Sequence, residues 1–323
     1  MKHILLTCTA LATLAAPIAS PSQTHTTAAH ATAATSSAIK NVFWQPDSLK
    51  QGSPAFFTVE LERPALRVTG TWVNKTLTFF KTSDPKLWYA LAGDDLETQP
   101  GTFNISITAT LAGGRIARTT KPIDIAAASF TTGTANVAED FVEPNAEEQK
   151  QIAADERLKA RAYAHFLPQP QWTGGFIKPV KAESTPSFGE TRVLNEEKTS
   201  EHRGTDFPVN EGTPVEASNS GTVVLADPLF YEGNCVIIDH GQHFFTIYMH
   251  LSKPTVKVGD KVHKGERIGI SGKTGRVTGP HLHMGVRWNG AYLDPVELLA
   301  LTLPPIPANE HDKTPAAHAA ARR

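Results

Sequence analysis

Short apolar alternations, broken at intervals by glycine, proline, asparagine or aspartate, confine most of this chain to β-structure. Strands alternate faces with a period of two, and those polar and conformationally special residues end them. Ala55-Phe56-Phe57-Thr58-Val59-Glu60-Leu61, Leu66 to Val73, Leu77 to Phe80, Trp88 to Leu91, Phe103 to Leu111 and Ile116 to Ile125 read as strands, with Gly113-Gly114 as a hairpin turn. About seven strands between Lys40 and Ala128 predict an immunoglobulin-like sandwich in architecture, without that fold's cysteines. The aromatic residues of this stretch, among them Phe56, Phe57, Trp72 and Trp88, read as its core. A second all-β module is expected over 183–303. Between the two, a connector over 129–182 carries a partial apolar stripe at Ile152, Leu158, Ala162 and Tyr163, which predicts one helix over about 144–166. That helix, or the first module, is expected beside any groove of the second, where it would limit access.

Met1-Lys2-His3 and the apolar run from Ile4 to about Ala19 read as a signal peptide within 1–31, cleaved after Ser20 or after Ala31. The chain is therefore expected to be exported, to the periplasm or the extracellular space. A tether of Ala, Thr, His and Ser over 32–39 and a tail over 304–323 have no composition from which to pack a core. Of the two cysteines, Cys8 falls in the signal segment, so Cys235 is expected as a buried free thiol. No stretch beyond the leader is long and apolar enough to span a membrane. A formal charge of −1 over 323 residues gives no field for nucleic acid. Oligomeric state is not readable.

Within the second module, Gly279-Pro280 leads into His281-Leu282-His283-Met284-Gly285-Val286-Arg287-Trp288, which reads as a strand with His281 and His283 on one face. Some eighty residues upstream stands His202-Arg203-Gly204-Thr205-Asp206. Gly204 and the following Phe207-Pro208 argue against helix there. On an extended segment His202 and Asp206 also share a face, so imidazole and carboxylate can meet a metal brought in by a neighbouring strand. Two imidazoles with one carboxylate suit zinc, and three protein ligands leave a fourth position for water. His240, His243 and His263 sit in turn-like segments and are assigned no chemistry. Gly272-Lys273-Thr274 invites a phosphate-loop reading, but that motif needs glycine where Arg267 stands.

The stretch from Phe188-Gly189 to about Leu299 resembles the catalytic domain of the lysostaphin-type zinc endopeptidases, which cut peptide bonds in bacterial peptidoglycan. The resemblance is carried by His202 to Phe207, Gly212-Thr213-Pro214-Val215, Val236 to Gly241, Tyr248-Met249-His250-Leu251-Ser252, Gly265 to Gly269, Gly272-Lys273-Thr274-Gly275 and Thr278 to His283. It departs from the pattern at Met284-Gly285 and at Asn195-Glu196-Glu197. The resemblance implies that His202, Asp206 and His283 hold one zinc ion, that His281 and His250 are the catalytic pair, and that peptidoglycan stem peptides are the substrate. The implied activity is hydrolysis of peptide cross-links. The alternative is a non-catalytic wall-binding regulator or amidase activator using the same groove.

Overall fold

In the strand Gly101–Leu111, burial falls on Ile105, Ile107, Ala109 and Leu111, the two-residue period of a strand with one face on a core. The same logic builds a pair of facing sheets. One holds Ile39–Gln45, Pro54–Leu61, Leu87–Gly93 and Phe80–Lys81; the other holds Leu49–Lys50, Ile116–Ala126, Gly101–Leu111, Ala65–Trp72 and Lys75–Thr78. Phe57 of the first and Trp72 of the second are fully buried and meet edge to face at 5.5 Å between centroids. These positions belong to a computed structural model that describes residues 38–306. The expected signal peptide and most of the expected tail lie outside the described residues.

The expected strand Leu77 to Phe80 is divided. Lys75–Thr78 pairs in one sheet and Phe80–Lys81 in the other, with buried Phe79 where the chain crosses between them. Both pieces are apolar enough to read as one run, so periodicity alone does not mark the crossing.

The second module centres on a nine-stranded sheet in which Thr205–Phe207, Leu282–Trp288, Phe244–Pro254, Gly233–Asp239 and Gly221–Leu229 are consecutive neighbours. A separate sheet of three strands joins Thr132–Ala135, Thr191–Leu194 and Lys198–Glu201. Its first strand, Thr-Gly-Thr-Ala, has no apolar alternation and was not legible as a strand. The helix Ala146–Tyr163 starts at a capping box made by Asn145 and Glu148 and lays Ala162, Leu158 and Tyr163 on Leu225, Leu229 and Phe245. Its buried Asp155 accepts from Phe230 N at 2.7 Å.

Sequence divides the chain into two β-modules, and the described residues join them through one continuous core. Trp172, fully buried, packs on Phe56 and Phe80 of the first module, with centroids 6.2 and 5.7 Å away, and on Phe176 at 6.4 Å. Phe176 in turn packs on Phe244 of the large sheet. Polar contacts add to the junction: Asp294 N donates to Gly52 O at 2.8 Å, and Ser53 Oγ donates to Glu297 Oε2 at 2.7 Å.

Asp94 is buried in this junction, and although Gly52 N donates to its Oδ2, its Oδ1 has no partner. Burial pushes its carboxyl up to about 8. The folded chain therefore keeps a proton that the unfolded chain loses near the ordinary value of 3.8, so stability falls as pH rises from about 4 to about 8 and is level above. Asp94→Asn should exceed the wild type in stability by about 2 kcal/mol at pH 8.5, with the gap closing near pH 4. Urea unfolding at the two pH values checks this.

Candidate metal centre

The strand Leu282–Trp288 turns Leu282, Met284, Val286 and Trp288 into the core, which leaves His283 on the opposite face. Its neighbours bring the rest. Asp206 lies directly across from His283 on one side, and Met249 lies across from it on the other. A regular strand would send His250 to the face opposite Met249. Instead His250 has φ +62, an uncommon conformation for a non-glycine residue, and its ring centroid lies 6.0 Å from that of His283.

His202 precedes the strand Thr205–Phe207 rather than lying on it, and the chain bends at Gly204 between them, so the expected extended segment is not one continuous strand. Gly204 makes the approach possible, since a Cβ there would sit 2.4 Å from both His283 Nε2 and Met284 O. His202 Nδ1 donates to Ser187 O at 2.7 Å, which leaves Nε2 for the site. That Nε2 lies 3.1 Å from Asp206 Oδ1 and 2.9 Å from His283 Nδ1, and His283 Nδ1 lies 2.9 Å from Asp206 Oδ1.

Three donor atoms at these separations fit one small metal ion. Ligands at about 2.0–2.1 Å around a tetrahedral centre stand about 3.3 Å apart. The outer contacts fit as well: Ser187 O orients His202, and Arg192 Nη2 donates to Asp206 Oδ2 at 2.8 Å while Arg192 Nε donates to Glu190. Burial pushes His283 down to about 4 despite the opposing pull of Asp206. Burial alone would raise Asp206, but the close His202 and His283 rings outweigh it and hold the carboxyl well below the usual carboxylate range. A neutral imidazole and a carboxylate are the protonation states that ligation needs.

His281 and His250 complete the group without joining the triangle. His281 precedes the strand, bridged to Gly272, and its Nδ1 donates to Gly279 O at 2.8 Å. Its Nε2 lies 3.6 Å from Asp206 Oδ1. His250 Nδ1 donates to Thr274 O at 2.9 Å, and the two rings stand 4.9 Å apart. Burial, then the neighbouring His283 and His281 rings, pushes His250 down to about 3. All five residues line one cleft of about 760 Å³, to which the connector helix contributes Glu156 and Lys159. His240 stands apart: fully buried, it has Ser220 O and Thr246 Oγ1 at 2.7 Å on its two ring nitrogens. Sequence reasoning missed Ser187 O and Arg192, because a backbone carbonyl and a lone arginine carry no motif.

Residues 200–295 match the family model described as Peptidase family M23. The chain carries an M23 peptidase domain. Over 82 residues it is 57% identical to Peptidoglycan DD-endopeptidase ShyA of Vibrio cholerae, a match that covers 25% of this chain and 19% of that protein. It is 48% identical over 99 residues to an uncharacterized metalloprotease of Haemophilus influenzae, covering 29% of this chain and 20% of that one. The matches thus span about a fifth of these relatives' own length. A crystal structure of a Pseudomonas aeruginosa protein assigned to peptidase M23 aligns over 78% of this chain and 96% of its own, with 27% identity and a TM-score of 0.59. All five histidine and aspartate positions of the cleft fall inside the M23 segment, whereas Ser187 and Arg192, which orient two of them, lie before it.

The geometry separates two neighbours on one short segment. His283→Ala should lose bound metal after dialysis, while His281→Ala should retain about as much as the wild type. Metal content by mass spectrometry checks it, and equal retention by both variants would contradict the division.

Proposed function

We propose that this protein is an exported zinc endopeptidase that hydrolyses peptide cross-links of bacterial peptidoglycan. The observation that carries the reading is the convergence of His202 Nε2, Asp206 Oδ1 and His283 Nδ1 in an open cleft that also holds two non-ligating imidazoles. Zinc held there supplies a Lewis acid for the scissile carbonyl and lowers the pKa of water to about 7.

The chain's own groups do the rest. His281, with Nδ1–H given to Gly279 O, presents Nε2 as a proton acceptor beside the ligand triangle. It takes the proton from the attacking water and returns it to the departing amine. His250 gives its Nδ1–H to Thr274 O, so in its neutral ring Nε2 is an acceptor. That favours orienting the water over donating to the oxyanion. The direct cross-link between D-alanine and diaminopimelate is the proposed bond, supported by the likeness to a protein named as a DD-endopeptidase. Export rests on the leader read from the sequence, and no helix among the described residues is long and apolar enough to cross a membrane.

Digestion of purified sacculi tests the proposal. The zinc-loaded chain should release muropeptides with new peptide ends, and His281→Ala should lower that release by about 100-fold or more. No release by the loaded wild type would overturn the reading in favour of a binding regulator.

A further inference from the structure

The segment Gly272-Lys273-Thr274-Gly275-Arg276 has no phosphate-loop role, yet the structure holds it firmly. Gly275 has φ +74, and a Cβ there would lie 2.3 Å from Gly233 N, so the loop rests directly on the turn beside Tyr231. Arg276 N donates to Tyr231 O at 2.9 Å, and Thr274 Oγ1 both accepts from Asn234 N and donates to Leu251 O. The same Thr274 carries the carbonyl that orients His250. This loop therefore fixes a proposed catalytic imidazole and, two residues on, delivers Arg276 to the cleft wall.

Arg276 differs from the other cations of that cleft. Arg192, Arg203 and Lys159 each bond carboxylates at 2.5–3.1 Å. Among the described residues Arg276 has no carboxylate partner; its guanidinium lies 4.8 Å from the centroid of the Tyr231 ring, and Nη2 donates to Ser200 Oγ at 3.1 Å. Ser200 stands two residues before His202, and Arg276 lines the same cleft as His202, Asp206 and His283. A guanidinium has five N–H donors in a planar fork matched to a carboxylate. The Tyr231 ring lies against the half-buried guanidinium, and Glu232 acts on it electrostatically without forming an ion pair, so the fork is left open to a carboxylate from outside the chain.

We propose that Arg276 is a specificity residue that pairs with a free carboxylate of the peptide substrate, the α-carboxylate on the amine side of the scissile amide. Resting on the endopeptidase reading, this names the substrate class: cross-links whose acceptor residue carries an anionic carboxylate, in preference to neutral glycine bridges.

The test compares cross-linked peptide dimers on the zinc-loaded full chain: one unmodified, one with the acceptor α-carboxylate amidated, one with the chain-terminal carboxylate amidated. Wild-type kcat/KM should fall about 10–100-fold on the acceptor amide and stay level on the terminal amide. Arg276→Gln should lower the unmodified dimer by a similar factor yet cut the acceptor amide as wild type does, and Arg276→Lys should fall between. The proposal is overturned if acceptor amidation leaves the wild type unaffected, if the terminal amide carries the dependence, or if Arg276→Gln slows all dimers equally. Dissociation constants for the same dimers on zinc-loaded His281→Ala, alone and combined with Arg276→Gln, separate the two readings. Discrimination in binding without any wild-type cleavage would sink the endopeptidase reading and uphold the carboxylate contact. Cleavage without discrimination would do the reverse.

Discussion

The pairing of Asp206 opposite His283 is the constraint on which the site depends. A strand that slips by one residue exchanges its two faces, so such a slip would turn the imidazole toward the apolar core and the core residues toward the cleft. What holds the register lies underneath. Leu282, Met284, Val286 and Trp288 are all buried on the far face, each contributing roughly 1.5–3 kcal/mol through removal from water. The proposed metal centre is thus positioned by hydrophobic burial one layer below it.

Around that pairing, several backbone features do what regular strands cannot. Gly204 lets the segment carrying His202 approach His283, and the positive φ at His250 turns a second imidazole onto a face that alternation would deny it. Arg192 and the Ser187 carbonyl reach in from before the M23 segment, Arg192 on the small sheet whose first strand comes from the connector. The β-sandwich is no loose appendage either. Trp172 joins its core to that of the large sheet on which His283 and Asp206 sit.

Much of this was legible in the sequence where one face meets water and the other a core. The strands of Phe103 to Leu111 and Ile116 to Ile125 could be read from their alternation, and His281-Leu282-His283 from the same period, although His281 falls just before the strand proper. Residues chosen for what they touch were not legible. Arg192 looks like any surface arginine until its carboxylate partners are assembled, and Thr132–Ala135 has no apolar residue to mark it beyond its terminal alanine. The crossing at Phe79 and the merging of the two cores at Trp172 are decided by contacts between distant segments, which local periodicity does not encode.

Zinc K-edge X-ray absorption on the metal-loaded full chain tests the central claim most directly. The account predicts about four nitrogen or oxygen atoms at about 2.0–2.1 Å, with outer-shell scattering from two imidazoles. A third imidazole in the shell, or sulfur at about 2.3 Å, would contradict the division of five clustered side chains into three ligands and two proton-handling groups.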